Sequence, residues 1–157
     1  MKELTYEQAL HRLAADCSRT ERCVQDVRKK MENWELSADV QKKILQYLQK
    51  EKYIDEQRFC RAFVNDKSQY NRWGAYKIGY ELKKKNIPGD FIREALQNLD
   101  ATVLREQLTE LLEKKQKTVK GKNEYEIRQK IIRFAAGRGF SLEEIEAALS
   151  NRINRCD

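Results

Sequence analysis

The chain has 157 residues, room for one ordinary domain or a string of small repeated units. Hydrophobic residues make up 40% and charged residues 36%, with six Gly and one Pro, so the chain can fold and long Glu/Lys/Leu/Gln/Arg stretches favour helix. The net charge of +7 points to an anionic partner, and no apolar run is long enough to cross a membrane. The opening "MKELTYEQAL" lacks the apolar core of a secretory signal. Cys17, Cys23, Cys60 and Cys156 show no paired metal-ligand spacing, and His11 is the sole histidine. They read as reduced thiols in a cytosolic protein, without metal or cofactor.

Taken in chain order, the first apolar stripe is Leu10, Leu13 and Ala14, followed by "VRKKMENWELSADVQKKIL" (Val27–Leu45). A second stripe, Phe59, Ala62 and Phe63, precedes "IGYELKKKNIPGDFIREAL" (Ile78–Leu96). A third, Leu104, Leu108, Leu111 and Leu112, precedes "IIRFAAGRGFSLEEIEAAL" (Ile131–Leu149). These three tails align: Ile78 falls on Ile131, Leu82 on Ala135, Ile87 on Phe140, Ile92 on Ile145 and Leu96 on Leu149. Val27, Met31, Leu36 and Leu45 take the matching places in the first copy. Asn86 and Gly139 stand where a helix must end, and both tolerate the left-handed conformation of such a cap. Ser37-Ala38-Asp39, Pro88-Gly89-Asp90 and Ser141 supply N-cap and first-turn chemistry for the next helix, and Ser141 with Glu144 has capping-box spacing.

The expected fold is therefore all-α: three tandem three-helix, helix-turn-helix-like repeats forming an elongated, curved body. The repeats run over 1–52, 53–100 and 101–157, with the middle one basic and the last carrying a lysine-rich hairpin linker. Charge is uneven along this layout. Residues 1–51 hold ten Lys/Arg against nine Asp/Glu, whereas residues 57–89 hold eight cations against Asp66 and Glu81.

With Gly74 as the start of a helix reaching Lys85, Ala75, Ile78 and Leu82 share one face, while Tyr76, Tyr80, Lys83 and Lys84 share the other. The corresponding residues are Gln25, Lys29, Glu32 and Asn33 in the first repeat and Gln129, Arg133, Ala136 and Gly137 in the third, so the aromatic–cationic face belongs to one copy only. A partner-facing surface and a plain solvated helix face are the two readings of Tyr76, Lys83 and Lys84. Trp73 is expected mostly buried between neighbouring repeats, with direct contact as the alternative. Arg58 and Arg61 lie off the Phe59/Phe63 face; they reach either phosphate and acidic partners or Asp55, Glu56 and Asp66 in surface salt bridges. Lys114, Lys115, Lys117, Lys120 and Lys122 are read as a mobile basic linker turned by Gly121, suited to non-specific phosphate attraction.

"YIDEQRFCRAFVNDKSQYNRWGAYKIGYELKKKNI" resembles the central signature of the RecX family of recombinase regulators. Tyr53-Ile54-Asp55-Glu56, Arg58-Phe59, Arg61-Ala62-Phe63, Trp73-Gly74 and Leu82 through Ile87 carry it. Asn71-Arg72 and Asn86 depart from the glycines common at those places. The resemblance implies a non-enzymatic protein that binds the RecA recombinase filament and restrains its ATP hydrolysis, strand exchange and co-protease activity, as a regulator in DNA repair, recombination and the SOS response. Candidate contact residues are Arg58, Arg61, Arg72, Tyr76, Lys77, Tyr80, Lys83, Lys84, Lys114, Lys115, Lys117, Lys120 and Lys122. The expected protein is a monomer, without membrane attachment, that also contacts single- or double-stranded DNA through its basic surface. The competing reading is a free-standing nucleic-acid binder using the basic middle repeat, the lysine linker and base-stacking tyrosines.

Overall fold

The computed structural model describes residues 4–155, with side chains described for 4–150. Among the described residues there are nine helices and no strand: α1 (Tyr6–Arg19), α2 (Val24–Asn33), α3 (Ala38–Lys50), α4 (Glu56–Gln69), α5 (Ala75–Lys84), α6 (Gly89–Gln97), α7 (Ala101–Thr118), α8 (Glu124–Gly137) and α9 (Leu142–Arg155). Many of these helices begin where a short polar residue offers an oxygen to free amides. Thr5 and Gln8 form a reciprocal capping box on α1. The Ser37 hydroxyl accepts from the Val40 N–H at α3, Asp55 from Arg58 at α4, Asp100 from Thr102 at α7 and Asn123 from Glu126 at α8. The box expected at Ser141 and Glu144 is present, with both bonds made at the start of α9.

The three helix ends that define the repeat are built alike. Glu35, Asn86 and Gly139 take φ of 57, 60 and 99°. The following residue then donates its N–H five residues back: Leu36 to Met31, Ile87 to Leu82 and Phe140 to Ala135. This wrap satisfies carbonyls that the last turn leaves over, and it turns an apolar side chain back onto the finished helix. Leu82, Ala135 and Met31 are fully buried, and Ile87 and Phe140 nearly so. Glu35 shows that the cap forms in the first copy without the glycine or asparagine of the other two.

The chain gathers into two compact units. One comprises Met1–Ala62 with Leu82–Ile92, the other Phe63–Glu81 with Arg93–Asp157. In the first, Ala9, Leu13, Val27, Met31, Ile44, Leu48 and Ile54 form a core closed at its edge by Trp34, Leu36 and Tyr53. In the second, Leu108, Leu112, Ile131, Ala135, Phe140 and Ile145 join α7, α8 and α9. Each fully buried aliphatic side chain contributes about 1.5–3 kcal/mol, so a core of this size is needed to offset the ordering of units so small. Cys17, Cys23 and Cys60 are buried, while Cys156 lies outside the described residues. Burial is the main cause that pushes the Cys23 thiol up to about 11, which makes it a small apolar core residue and a poor nucleophile.

One expectation needs correction. Lys114, Lys115 and Lys117 do not lie in a mobile linker: α7 continues through them to Thr118, and only residues 119–123 connect it to α8. The stretch has no breaker before Gly121, and cations in a last helical turn are favoured by the exposed carbonyls there. Gly121 does mark the tight turn, since a Cβ there would come within 2.9 Å of Ile127 Cγ1.

Candidate interaction surfaces

In the second unit the Trp-Gly pair joins two helix ends. The Gly74 N–H donates to the Arg138 carbonyl over 2.8 Å and the Tyr76 N–H to the Gly139 carbonyl over 3.1 Å. The unpaired amides that begin α5 thus meet the unpaired carbonyls that end α8, positive dipole end against negative. The approach leaves no room for a side chain: a Cβ on Gly74 would stand 2.6 Å from the Gly139 carbonyl carbon, and one on Gly139 2.6 Å from the Lys77 amide nitrogen. Gly74 is therefore a packing residue as much as the start of a helix.

Trp73, expected mostly buried, is half-buried and outside α5, with its edge against Phe63 at 6.5 Å between centroids. Two ammonium groups lie over its ring, Lys67 at 5.0 Å and Lys77 at 4.5 Å, and Lys77 also reaches the Gly137 carbonyl at 3.5 Å. Arg72 adopts φ of 58° and pairs with Glu110 at 2.8 Å. Beyond this cluster α5 divides as its periodicity requires. Ile78 is fully buried, while Tyr76 is 81% and Tyr80 60% exposed. Lys115 and Arg138 lie over the Phe134 ring at 4.6 and 5.2 Å, whereas Lys114, Lys117, Lys120 and Lys122 are exposed.

In the first unit the signature that opens the middle repeat is occupied with structure. Tyr53 stacks on Tyr47 at 6.4 Å, Ile54 enters the core and Asp55 caps α4. Arg58 donates to Glu21 Oε1 at 2.6 Å and to the carbonyls of Lys52 and Tyr53 at 3.0 and 3.3 Å. This acidic partner stands thirty-seven positions earlier in the chain, whereas Asp55, Glu56 and Asp66 are the acids near Arg58 in sequence. Arg61, Lys83 and Lys84 are exposed.

Two carboxylates of this unit, Asp26 and Glu56, are partly withdrawn from solvent. Asp26 accepts from Lys85 Nζ at 2.9 Å and from the Cys23 N–H at 3.2 Å. Burial alone would raise its carboxyl, but the Lys85 and Cys23 hydrogen bonds outweigh it and hold the group below the usual carboxylate range. Glu56 has the opposite balance. Its desolvation is only partly offset by one long bond from the Val24 N–H at 3.4 Å, so its carboxyl is pushed up. Sequence reasoning did not single out Lys67, Glu21, Asp26 or the bond from Gly74 to Arg138. For Lys67 a signal existed, a cation six residues before a tryptophan; for Glu21 no local pattern announced a partner so distant in sequence.

A family model described as "RecX, second three-helix domain" matches residues 55–96, and another described as "RecX, third three-helix domain" matches residues 105–149. This chain belongs to the RecX family. It is 28% identical over 153 residues to the "Regulatory protein RecX" of Prosthecochloris aestuarii, covering 98% of this chain and 99% of that one. Against the protein of the same name from Chlorobium phaeobacteroides it is 32% identical over 120 residues, 76% of this chain and 77% of the other. The Clostridium beijerinckii protein is 31% identical over 127 residues, and there the chain spans only 57% of its length. A crystal structure of regulatory protein RecX superposes with a TM-score of 0.84 at 22% identity, over 92% of this chain and 73% of that one. RecX from Lactobacillus salivarius gives 0.79 at 18% identity, over 93% and 95%. These two likenesses establish the all-helical RecX fold, and the family is one of regulatory proteins. No helix among the described residues is long and apolar enough to cross a membrane.

Proposed function

We propose that this chain is a non-enzymatic regulator that binds a RecA-type recombinase filament and restrains its ATPase, strand-exchange and co-protease activities, acting in the cytoplasm as a monomer without a cofactor. Membership of the RecX family supports the regulatory role. The observation that carries the contact assignment is the division of α5: Ile78 is buried, while Tyr76 and Tyr80 turn outward on the face that only the middle repeat makes aromatic. In the second unit Tyr76, Tyr80, Lys77 and Arg72 are proposed as contact residues, with Lys114, Lys117, Lys120 and Lys122 supplying long-range attraction and Lys115 standing nearer Phe134. In the first unit Lys83, Lys84 and Arg61 are the corresponding exposed cations, and Arg58 acts through the fold as much as through contact. Three repeats over 1–52, 53–100 and 101–157 would let several weak contacts act as linked sites.

The decisive measurement is the DNA-dependent ATPase of the cognate recombinase titrated with this protein. Falling turnover is expected, and unchanged turnover at saturation would sink the proposal. Lys83→Glu with Lys84→Glu should relieve inhibition, whereas Lys42→Glu with Lys43→Glu, exposed on α3, should not. Equal inhibition by both pairs removes Lys83 and Lys84 from the contact surface.

A second reading rests on four exposed tyrosines of the second unit: Tyr70 at 79%, Tyr76, Tyr80 and Tyr125 at 72%. Tyrosines among cations suit base stacking along a single strand. Tight, strongly salt-dependent binding of single-stranded DNA without recombinase would favour that reading; weak DNA binding beside strong filament binding would favour the first.

A further inference from the structure

The first third of the chain is nearly neutral, yet its fold concentrates cations. α1 and α2 border a cleft of about 340 Å³ lined by His11, Arg12, Asp16, Arg19, Lys30 and Trp34, together with Leu13 and Ala15. Asp16, its side chain only 12% exposed, is the one acid in that lining. It accepts from Arg22 Nε at 3.0 Å, faces Arg19 Nη2 at 3.6 Å and is bonded to the Lys30 ammonium. One negative charge thus stands against three positive ones, and Arg12 adds another at the rim.

The surplus is also preorganised. Asp16 holds Arg22 and Lys30 in fixed directions, so part of the side-chain ordering that an anion would otherwise impose is already met by folding. Arg19 keeps a side chain 79% exposed and open to a ligand. Trp34, half-buried where α2 ends, supplies an aromatic wall beside these groups. Guanidinium forks and an ammonium match phosphate oxygens, and an indole offers a stacking face for a base. A carboxylate ligand would use the cations and leave the indole idle. The volume sits at the low end of the ~300–1,000 Å³ usual for small-ligand sites, the size of one nucleotide and too small for a duplex.

We propose that this α1–α2 cleft is a single-stranded nucleic-acid subsite, in which Arg12, Arg19 and Lys30 hold a backbone phosphate and the adjoining base stacks on Trp34. The assignment does not depend on recombinase binding, and its test contains no recombinase. In the full chain carrying Trp73→Phe, Trp34 is the sole tryptophan. Titration with a short oligothymidylate at low salt should quench its emission. Adding Arg12→Glu and Arg19→Glu should weaken binding about tenfold or more and reduce the salt slope by about 0.7 for each phosphate no longer neutralised. Lys42→Glu with Lys43→Glu should stay within about twofold of the parent.

Trp34 emission indifferent to the oligonucleotide, or Arg12→Glu/Arg19→Glu binding within about twofold of the parent, would overturn the assignment. Equal affinity for thymidine monophosphate would transfer the site to free nucleotides, and equal affinity for hexaglutamate would make it a seat for acidic peptide; both outcomes also reject a strand subsite. Should Trp73→Phe lose its helical circular dichroism, anisotropy of a labelled oligothymidylate with the parent, Trp34→Ala and Arg12→Glu/Arg19→Glu proteins decides the same question.

Discussion

Gly74 and Arg138 are joined by a 2.8 Å bond from the amide that precedes α5 to a carbonyl at the end of α8. Sixty-four positions apart in the chain, they bring together two helix termini whose polar groups would otherwise need water. The bond explains why glycine follows Trp73 within a run of otherwise bulky residues. It also accounts for Gly139, which must both reverse the chain at φ of 99° and lie against Lys77.

Gly74→Ala is therefore expected to destabilise the protein by about 1–3 kcal/mol, the usual cost of forcing atoms into a closed contact. Gly137→Ala is the control. Nothing lies within 4 Å of a Cβ built there, and the position ends a helix, so stability should rise by as much as about 0.5–1 kcal/mol. Urea denaturation followed by circular dichroism separates the two, and a Gly74→Ala protein as stable as the parent would contradict the packing argument.

At the matching cap of α5, Asn86→Gly should be neutral or stabilising, because φ of 60° carries no penalty without a Cβ. Asn86→Val should cost about 1–2 kcal/mol, the strain of a branched L-residue held left-handed. Thermal melting of the pair checks the order.

Arg58 should behave as a structural residue. Arg58→Ala removes the Glu21 pair and two bonds to carbonyls, and leaves Glu21, whose Oε2 already has no hydrogen-bond partner, with both oxygens unmet. A loss of about 1–2 kcal/mol is expected, discounted for an arginine side chain that is 42% exposed. Arg58→Lys should recover little of it, since one ammonium nitrogen cannot stand both where Nε meets Glu21 and where Nη2 meets the Lys52 and Tyr53 carbonyls. Wild-type stability in Arg58→Ala would leave this residue to contact alone.

Acid stability should reflect Asp16 and Asp26. Burial raises Asp16's carboxyl, but hydrogen bonds from Lys30 and Arg22 and their charges more than offset it, so the net displacement is downward, as for Asp26. Groups lowered in the fold stabilise it above their unfolded pKa, about 3.9 for Asp, and lose that contribution as pH falls through the lower folded values. Asp16→Asn should thus narrow the stability gap to the parent progressively below about pH 4. A gap constant across that range would separate Asp16 from the acid transition.

Glu56 has the opposite sign. Its carboxyl is raised chiefly by burial, so its charged form opposes folding at neutral pH and protonation favours the native state. Glu56→Gln, which retains an oxygen for the Val24 N–H, should be more stable than the parent at pH 7. That advantage should vanish below the ordinary glutamate pKa of about 4.3. A Glu56→Gln protein less stable at pH 7 would show that the Val24 bond needs the charge.

The sequence by itself determined the helices, the repeat and its register, because these follow from local rules. Apolar residues recur at helical spacing, short polar residues cap, and Met31, Leu82 and Ala135 receive the wrap from Leu36, Ile87 and Phe140 as the alignment required. It also determined which side of α5 is buried, since periodicity alone sets Ile78 and Leu82 against Tyr76 and Tyr80. Local rules carry no information about which polar groups meet across the chain. Tertiary structure alone decided that Gly74 abuts Arg138, that Glu21 takes Arg58, that Trp73 stays half-open under two lysines, and that a nearly neutral stretch gathers its cations around Asp16. Hydrophobic burial needs only the right kind of residue at the right spacing, whereas a charge or an orphan amide needs one particular partner, and that partner is chosen by folding.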